Sequence, residues 1–168
     1  MAEQFLTLMA DLDEDTQAHM SEWYNALKEA GFTGAQTKGL PYHISLATFP
    51  LDKEQAAVET MRKAASKFSA MPVHISHIGV FAGGKVLFGA VEKSAELVSL
   101  RDACETGANG KYPWIPHVTV LIDEPDAVCA ALSVLVRSFH PIVASIAKLH
   151  LCAFWPMREI ASVELNGG

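Results

Sequence analysis

Pro41-Tyr42-His43-Ile44-Ser45-Leu46 and, further along, Pro116-His117-Val118-Thr119-Val120 are the stretches from which the rest of the chain is read. In both, apolar and β-branched residues alternate with polar ones, the period of a half-buried strand. On a strand, residues i and i+2 project to the same face. His43 and Ser45 therefore share one face, and Ile44 and Leu46 point the other way into a core. His117 and Thr119 pair in the same manner, backed by Val118 and Val120. Each strand offers one imidazole beside one hydroxyl. The two histidines lie 74 residues apart, nearly half of the 168-residue chain. That spacing fits two similar lobes, each supplying half of one site.

The remainder of the chain supports this frame. The length suits one domain over residues 1–168 with a substantial core, and half of the residues are hydrophobic, which excludes a disordered chain. No apolar run approaches the roughly 20 residues of a membrane helix. The start, Met1-Ala2-Glu3-Gln4, lacks a basic segment followed by an apolar one, so no signal peptide is read. Cys104, Cys129 and Cys152 are odd in number and widely spaced. They read as buried thiols in a reducing compartment, which predicts a cytoplasmic protein without a disulfide framework. With 13 Lys and Arg against 19 Asp and Glu, a net charge of −6 and no basic run, an extended nucleic-acid surface is not expected, because such binding neutralises phosphates with cations. A small nucleotide or a short RNA end in a local pocket remains compatible. The chain is expected to be a monomer.

Phe5 to Ala10 predicts a first strand. Asp13 is an N-cap for a helix reaching about Ala30, with Met20, Trp23, Tyr24 and Leu27 at helical spacing and Gly31 as its stop. After the first motif strand, Tyr42 to Phe49, Asp52 is expected to cap a second helix, with Gln55 as its capping-box partner and Ala57, Met61, Ala64 and Phe68 as its buried stripe. Val73 to Val80 and Val86 to Val91 predict a hairpin turned by Gly83-Gly84. Ser94 caps a third helix, buried through Leu97, Leu100 and Cys104. Gly107-Ala108-Asn109-Gly110 reads as a loop before the second motif strand. Pro125 opens a fourth helix, buried through Val128, Leu132 and Leu135, and Pro141 opens the closing strands. This order predicts an α+β fold. The half-chain echo adds a bilobal, pseudo-twofold arrangement: two antiparallel β-sheets face a central cleft, with helices outside.

The other five histidines are expected to be background. His74-Ile75-Ser76 repeats the pattern but has no counterpart in the other half. His77 shares a face with Val73 and Ile75 and reads as a buried core histidine. His19, His140 and His150 lack a hydroxyl at i+2 and read as surface or helix-flanking residues. A metal site is disfavoured, because neither His43 nor His117 has an Asp or Glu at i+2 and no His-Glu-x-x-His occurs. A serine nucleophile is disfavoured by the lack of Gly-x-Ser-x-Gly. What remains is acid/base chemistry by the two imidazoles, because imidazole can take or give a proton near neutrality, with the hydroxyls of Ser45 and Thr119 as donors beside them. No metal or other cofactor is required.

These motifs resemble those of the two-histidine (2H) phosphoesterases, the family of RNA 2′,3′-cyclic phosphodiesterases and bacterial 2′-5′ RNA ligase-like proteins. Its signature is two His-x-Ser/Thr motifs, one per lobe. Trp114-Ile115-Pro116-His117-Val118-Thr119 resembles a Trp-x-Pro-His-x-Thr form, and Gly79-Val80-Phe81 a Gly-x-Phe. Ile146 to Leu151, Pro156 and Val163-Glu164-Leu165 resemble the family's closing hairpin. The resemblance implies metal-independent hydrolysis of 2′,3′-cyclic phosphate or 2′-5′ linkages, with ligation as a reverse reaction. It implies catalysis by His43 and His117, phosphate binding by Ser45 and Thr119, and substrate contacts from Tyr42, Phe81 and Trp114. Relatives that continue the second motif with an arginine differ from this chain, which has Ile122 there. A nucleotide-binding module with the same cleft and no turnover is the alternative from another class.

Overall fold

The computed structural model describes residues 2–104 and 113–167. The glycine-rich stretch 107–110 read as a loop lies outside the described residues. The elements, in chain order, are β1 (Phe5–Leu12), α1 (Glu14–Glu29), β2 (His43–Phe49), α2 (Glu54–Ala65), β3 (Met71–Val80), β4 (Val86–Val91), α3 (Ala95–Cys104), β5 (His117–Ile122), α4 (Pro125–Ser138), β6 (Ile142–Phe154) and β7 (Arg158–Glu164).

This is the expected α+β class, with every strand pair antiparallel. The two lobe sheets are continuous with each other, in the order β2-β1-β6-β3-β4-β5, with β7 also on β6. The join is β6, 13 residues long. Its first residues, from Ile142 to Ile146, pair with β3, and its remainder pairs with β1 and β7. One strand thus serves both halves. The motif strands β2 and β5 stand at opposite ends of the ladder and come into contact with each other.

Alternation along each strand decides the layers. Leu6, Leu8 and Ala10 of β1, Ile44 and Leu46 of β2, Val118 and Val120 of β5, and Leu149 and Leu151 of β6 enter one buried core with the helices. Met20, Trp23 and Leu27 of α1, Met61 of α2, Leu97 and Leu100 of α3, and Val128 and Leu135 of α4 close that core from the other side. The halves interlock, because α1 lies against α4 and β5 and α3 lies against β2. The opposite face of the ladder is left to the cleft. No helix among the described residues is long and apolar enough to cross a membrane.

Most predicted boundaries hold, and the exceptions have physical reasons. Gly83 and Gly84, with φ of 97° and 73°, make the predicted hairpin turn that only glycine adopts freely. Ser94 Oγ accepts from Leu97 N at 3.1 Å, as its capping role requires. Asp52 does not cap α2. It falls within a short 3-10 helix, Leu51–Lys53, so the position before α2 is Lys53, which makes no side-chain cap bond, and Gln55 instead donates to Glu59. Phe68 and Leu132 are partly rather than fully buried, Phe68 because α2 has ended before it. His77 is exposed instead of buried, because a β-bulge intervenes: Ile75 pairs with Val91 and His77 with the adjacent Ala90. The extra residue, Ser76, reverses the alternation. Cys104 and Cys152 are buried, but Cys129 is exposed on the outer side of α4.

Asp13 ties the first helix to the central strand. Its carboxylate accepts from Thr16 N at 2.8 Å, from Thr16 Oγ1 at 3.0 Å and from Ser145 N on β6. Burial opposes ionisation here, but the donors from Thr16 and Ser145 prevail and hold the carboxyl below its ordinary pKa. Asp13→Ala is expected to lower stability by about 1–2 kcal/mol, the usual cost of a lost cap. A depressed carboxyl stabilises the fold above its unfolded pKa, about 3.9, and loses that contribution as pH falls through the folded value. Urea unfolding near pH 7 and near pH 3 should therefore give a difference between wild type and variant that shrinks in acid.

Candidate functional site: two imidazoles on facing edge strands

The site begins with how each histidine is held. His43 Nδ1 lies 2.8 Å from the carbonyl of Pro41, and His117 Nδ1 lies 2.7 Å from the carbonyl of Ile115. A carbonyl only accepts, so in both rings Nδ1 carries the proton and donates it. That leaves Nε2 of each ring as the free position, able to hold or take a proton. The carbonyl sits two residues before the histidine in both cases, so the two halves repeat the clamp as well as the motif.

The clamps are themselves supported. Gln17 of α1 donates from Nε2 to Tyr42 O at 2.7 Å and accepts at Oε1 from Tyr42 N at 2.8 Å, fixing the backbone one residue before His43. Phe81 and Phe88 pack on the His117 ring, with centroids 4.7 and 5.2 Å away. Gly79 leaves room for Phe88, since a Cβ there would lie 2.4 Å from its ring.

The two halves are stitched together at the cleft. Trp114, just before β5, donates its indole N–H to Ser45 O on β2 at 3.0 Å. From the other side, the segment after α1 reaches β5: Ala35 N donates to Ile122 O at 2.7 Å, and Gln36 Oε1 accepts from Ile122 N at 3.3 Å. Gly34, at φ 65°, permits this approach, because a Cβ there would lie 2.9 Å from Ile122 O. The result is a hollow that joins His43 and Thr119, with Gln36, Thr37, Tyr42 and Ile122 in its wall. A second hollow, on the Ser45 side of His43, is lined by Phe5, Thr7, Met9, Phe154 and Trp155.

His43 and Thr119 share the first hollow and His43 and Ser45 the second, while His117 lines neither of them. His43, Ser45, His117 and Thr119 come from β2 and β5, Tyr42 lines the first hollow, and Phe81 backs His117. Trp114 has its polar atom committed to the Ser45 backbone and its ring under the Arg101 guanidinium at 5.6 Å, so it links the halves. His74 stands apart, exposed and facing Glu92 at 3.5 Å. His150 corrects the reading of a surface residue. It is 5% exposed, with Nδ1 3.4 Å from Asp11 Oδ2 and Nε2 3.3 Å from Cys152 Sγ. Register explains it: Asp11 of β1 pairs with His43 on one side and Lys148 on the other, so this buried pair lies in the cleft floor beside His43. Gln17, Gln36, Asp11 and His150 carry no motif, and only Asp11 and His150, polar residues on otherwise apolar strands, stand out in the sequence. Among the described residues no group of three or more His, Cys, Asp or Glu is placed to hold a metal ion.

Burial pushes both catalytic candidates below the ordinary imidazole pKa. The carbonyls of Pro41 and Ile115 oppose that fall. Asp11 further favours a charged His43, while His117 and His150 disfavour it. His150 goes the other way. Its contacts with the Asp11 carboxylate and then with Cys152 outweigh burial and raise it to about 10.

Two clamped imidazoles, each with a hydroxyl at i+2, thus stand on the two end strands of one α+β ladder. The chain belongs to the 2′-5′ RNA ligase superfamily, whose profile matches residues 12–154. Its fold is similar to that of E. coli LigT in apo form, at 17% identity with a TM-score of 0.65, covering 99% of both chains. It is likewise similar to TT0787 of Thermus thermophilus, at 14% identity with a TM-score of 0.69, covering 97% of this chain and 98% of that one. No curated protein matches the chain.

The Asp11–His150 pair has a stability signature. A raised histidine stabilises the fold fully below its unfolded pKa, about 6.5, and loses that contribution as pH rises through its folded value, here about 10. Asp11→Asn breaks a buried pair and is expected to cost about 3 kcal/mol near pH 6. That cost should decline between pH 6.5 and 10, as followed by urea unfolding across the range.

Proposed function

We propose that this protein is a metal-independent phosphodiesterase that hydrolyses 2′,3′-cyclic phosphates or 2′-5′ linkages of small nucleotides or RNA ends, with His43 and His117 as acid and base. The observation that carries this reading is the duplicated clamp, which leaves one free imidazole Nε2 on each of two strands that meet across the cleft. A single base would not need a partner held in the same way. In-line displacement at phosphorus needs two such groups, one at each apical oxygen.

For a 2′,3′-cyclic phosphate, His117 Nε2 takes a proton from water as the water oxygen bonds to phosphorus. The bond from phosphorus to the 3′ oxygen breaks, and His43 Nε2 delivers its proton to that oxygen. The product is a 2′-phosphate with a free 3′ hydroxyl, and the exchanged protons return through solvent. Asp11 supports this division, since it favours the charged form of His43, and among the described residues no carboxylate acts on His117 in the same way. The hydroxyls of Ser45 and Thr119 donate to the nonbridging oxygens. Ile122 in place of an arginine leaves no cation at that position for a second phosphate, which favours short substrates over long ones. LigT has been crystallised with 3′-AMP and with ATP, which supports a nucleotide-sized ligand here.

Turnover of 2′,3′-cyclic mononucleotides should persist in EDTA. His43→Ala and His117→Ala should each reduce kcat by about 10²–10⁴, the range for a lost general acid or base. Activity that vanishes with chelation and returns with a divalent ion overturns the mechanism. Tight nucleotide binding without turnover would instead identify a binding module.

A nitrophenyl phosphodiester separates the roles, because its leaving group needs little protonation. His43→Ala should be partly rescued on that substrate and His117→Ala should not. Ser45→Ala and Thr119→Ala should each cost less than either histidine change, up to about 10²–10³ in rate, as for one oxyanion donor.

A further inference from the structure

Beyond His43 and Ser45, the lining of the hollow on the Ser45 side of His43 has no part in the steps above. Its wall is aromatic: Phe5 and Phe154 stack at 5.8 Å, and Trp155 meets them edge-on at 5.2 and 5.7 Å. Beneath it, Met9, Cys152 and Phe154 form a small core separate from the main one, against which Phe5 packs. Trp155 itself is 47% exposed, an unusual state for a side chain with so much apolar surface. Its indole N–H donates to Thr37 Oγ1 at 3.3 Å, which sets the plane of the ring. Its interplanar angles to Phe5 and Phe154 are 87° and 64°. Neither neighbour lies parallel to it, so a stacking partner is still to be supplied.

We propose that Trp155, supported by Phe5 and Phe154, is a stacking platform for the nucleobase of the substrate. This rests on the phosphodiesterase reading. This hollow is lined by His43, the proposed acid, and by Ser45, the proposed phosphate donor, so a nucleoside whose phosphorus lies between the histidines extends its base toward Trp155. The lining also decides selectivity. Apart from His43 and the Trp155 indole N–H, which is committed to Thr37, its polar side chains are the hydroxyls of Thr7 and Ser45, with no amide, carboxylate or guanidinium among the described lining residues. Reading the hydrogen-bonding edge of a base requires such groups, whereas stacking tolerates every base because each has a π face. The platform therefore holds a base without choosing strongly among bases.

The test compares wild type, Trp155→Ala and Trp155→Phe on three substrates: 2′,3′-cyclic AMP, 2′,3′-cyclic CMP and the base-free 1-O-methylribose 2′,3′-cyclic phosphate. Wild type should prefer the base-bearing substrates, and Trp155→Ala should remove that preference by raising KM about 10–100-fold, the range for losing one base–aromatic stack. Its kcat and its activity on the base-free substrate should stay as in wild type, and Trp155→Phe should recover most of the KM. The cyclic AMP to cyclic CMP ratio should stay within about tenfold. A Trp155→Ala enzyme that retains the wild-type preference overturns the proposal, as does an equal loss on all three substrates.

Should none of the substrates turn over, the phosphodiesterase reading fails, and tryptophan fluorescence still decides the platform. Titration with 2′-AMP should quench wild-type emission, with most of the quenching absent in Trp155→Phe. Undiminished quenching in that variant, or no binding by wild type, overturns it.

Discussion

The long strand β6 must satisfy two sets of backbone neighbours at once. A buried strand cannot leave its N–H and C=O groups unpaired, and β6 meets this demand by giving its first residues to β3 and its later ones to β1 and β7. Every other feature of the site follows from that division. The ladders spread from β6 in both directions, and sheet twist brings their far edges, β2 and β5, back toward each other. The two histidines meet because they sit at the two ends of one hydrogen-bonded path. Asp13 secures the same strand to the first helix through Ser145, so the helix layer is registered on β6 as well.

Edge strands suit the proposed chemistry. An interior strand has both backbone edges occupied by neighbours, whereas β2 and β5 each turn one edge to the cleft. Here those edges are not left as bare ladders. The Ser45 carbonyl accepts the Trp114 indole, and Ile122 is taken up by Ala35 and Gln36. Each contact crosses from one half to the other, so the groups that block unwanted strand pairing also fix the separation of the imidazoles. Burial then lowers both pKa values toward the neutral form. The nearby Asp11–His150 pair makes the two surroundings unequal. Near-identical motifs then sit in different electrostatic surroundings, which the proposed division into acid and base requires.

The alternation in Tyr42–Leu46 and Pro116–Val120 is enough to place His43 with Ser45 and His117 with Thr119, because a period of two leaves no other choice on a strand. Helix ends marked by Asp13, Ser94 and Pro125 are legible for the same local reason. His77 departs from its expected burial because a single bulged residue, Ser76, reverses the period, and no feature of the local sequence announces a bulge. Asp52 departs from its expected capping role because a short 3-10 turn shifts the start of α2 past it.

His150 marks the boundary between the two kinds of knowledge. Within its own strand it is a polar residue in an apolar run, and nothing nearby in sequence explains it. Its partner, Asp11, is almost the whole chain away and is brought to it by the pairing of β1 with β6. The same holds for Gln17 beneath Tyr42 and for Trp155 beside His43, whose companions are set by packing between distant segments. Sequence by itself determined the secondary structure and which side chains share a face, because those depend on backbone geometry over a few residues. Tertiary structure alone decided which faces meet, which histidine has a carboxylate beside it and where a flat ring is left uncovered. Those are consequences of strand order and long-range pairing, and no local periodicity encodes them.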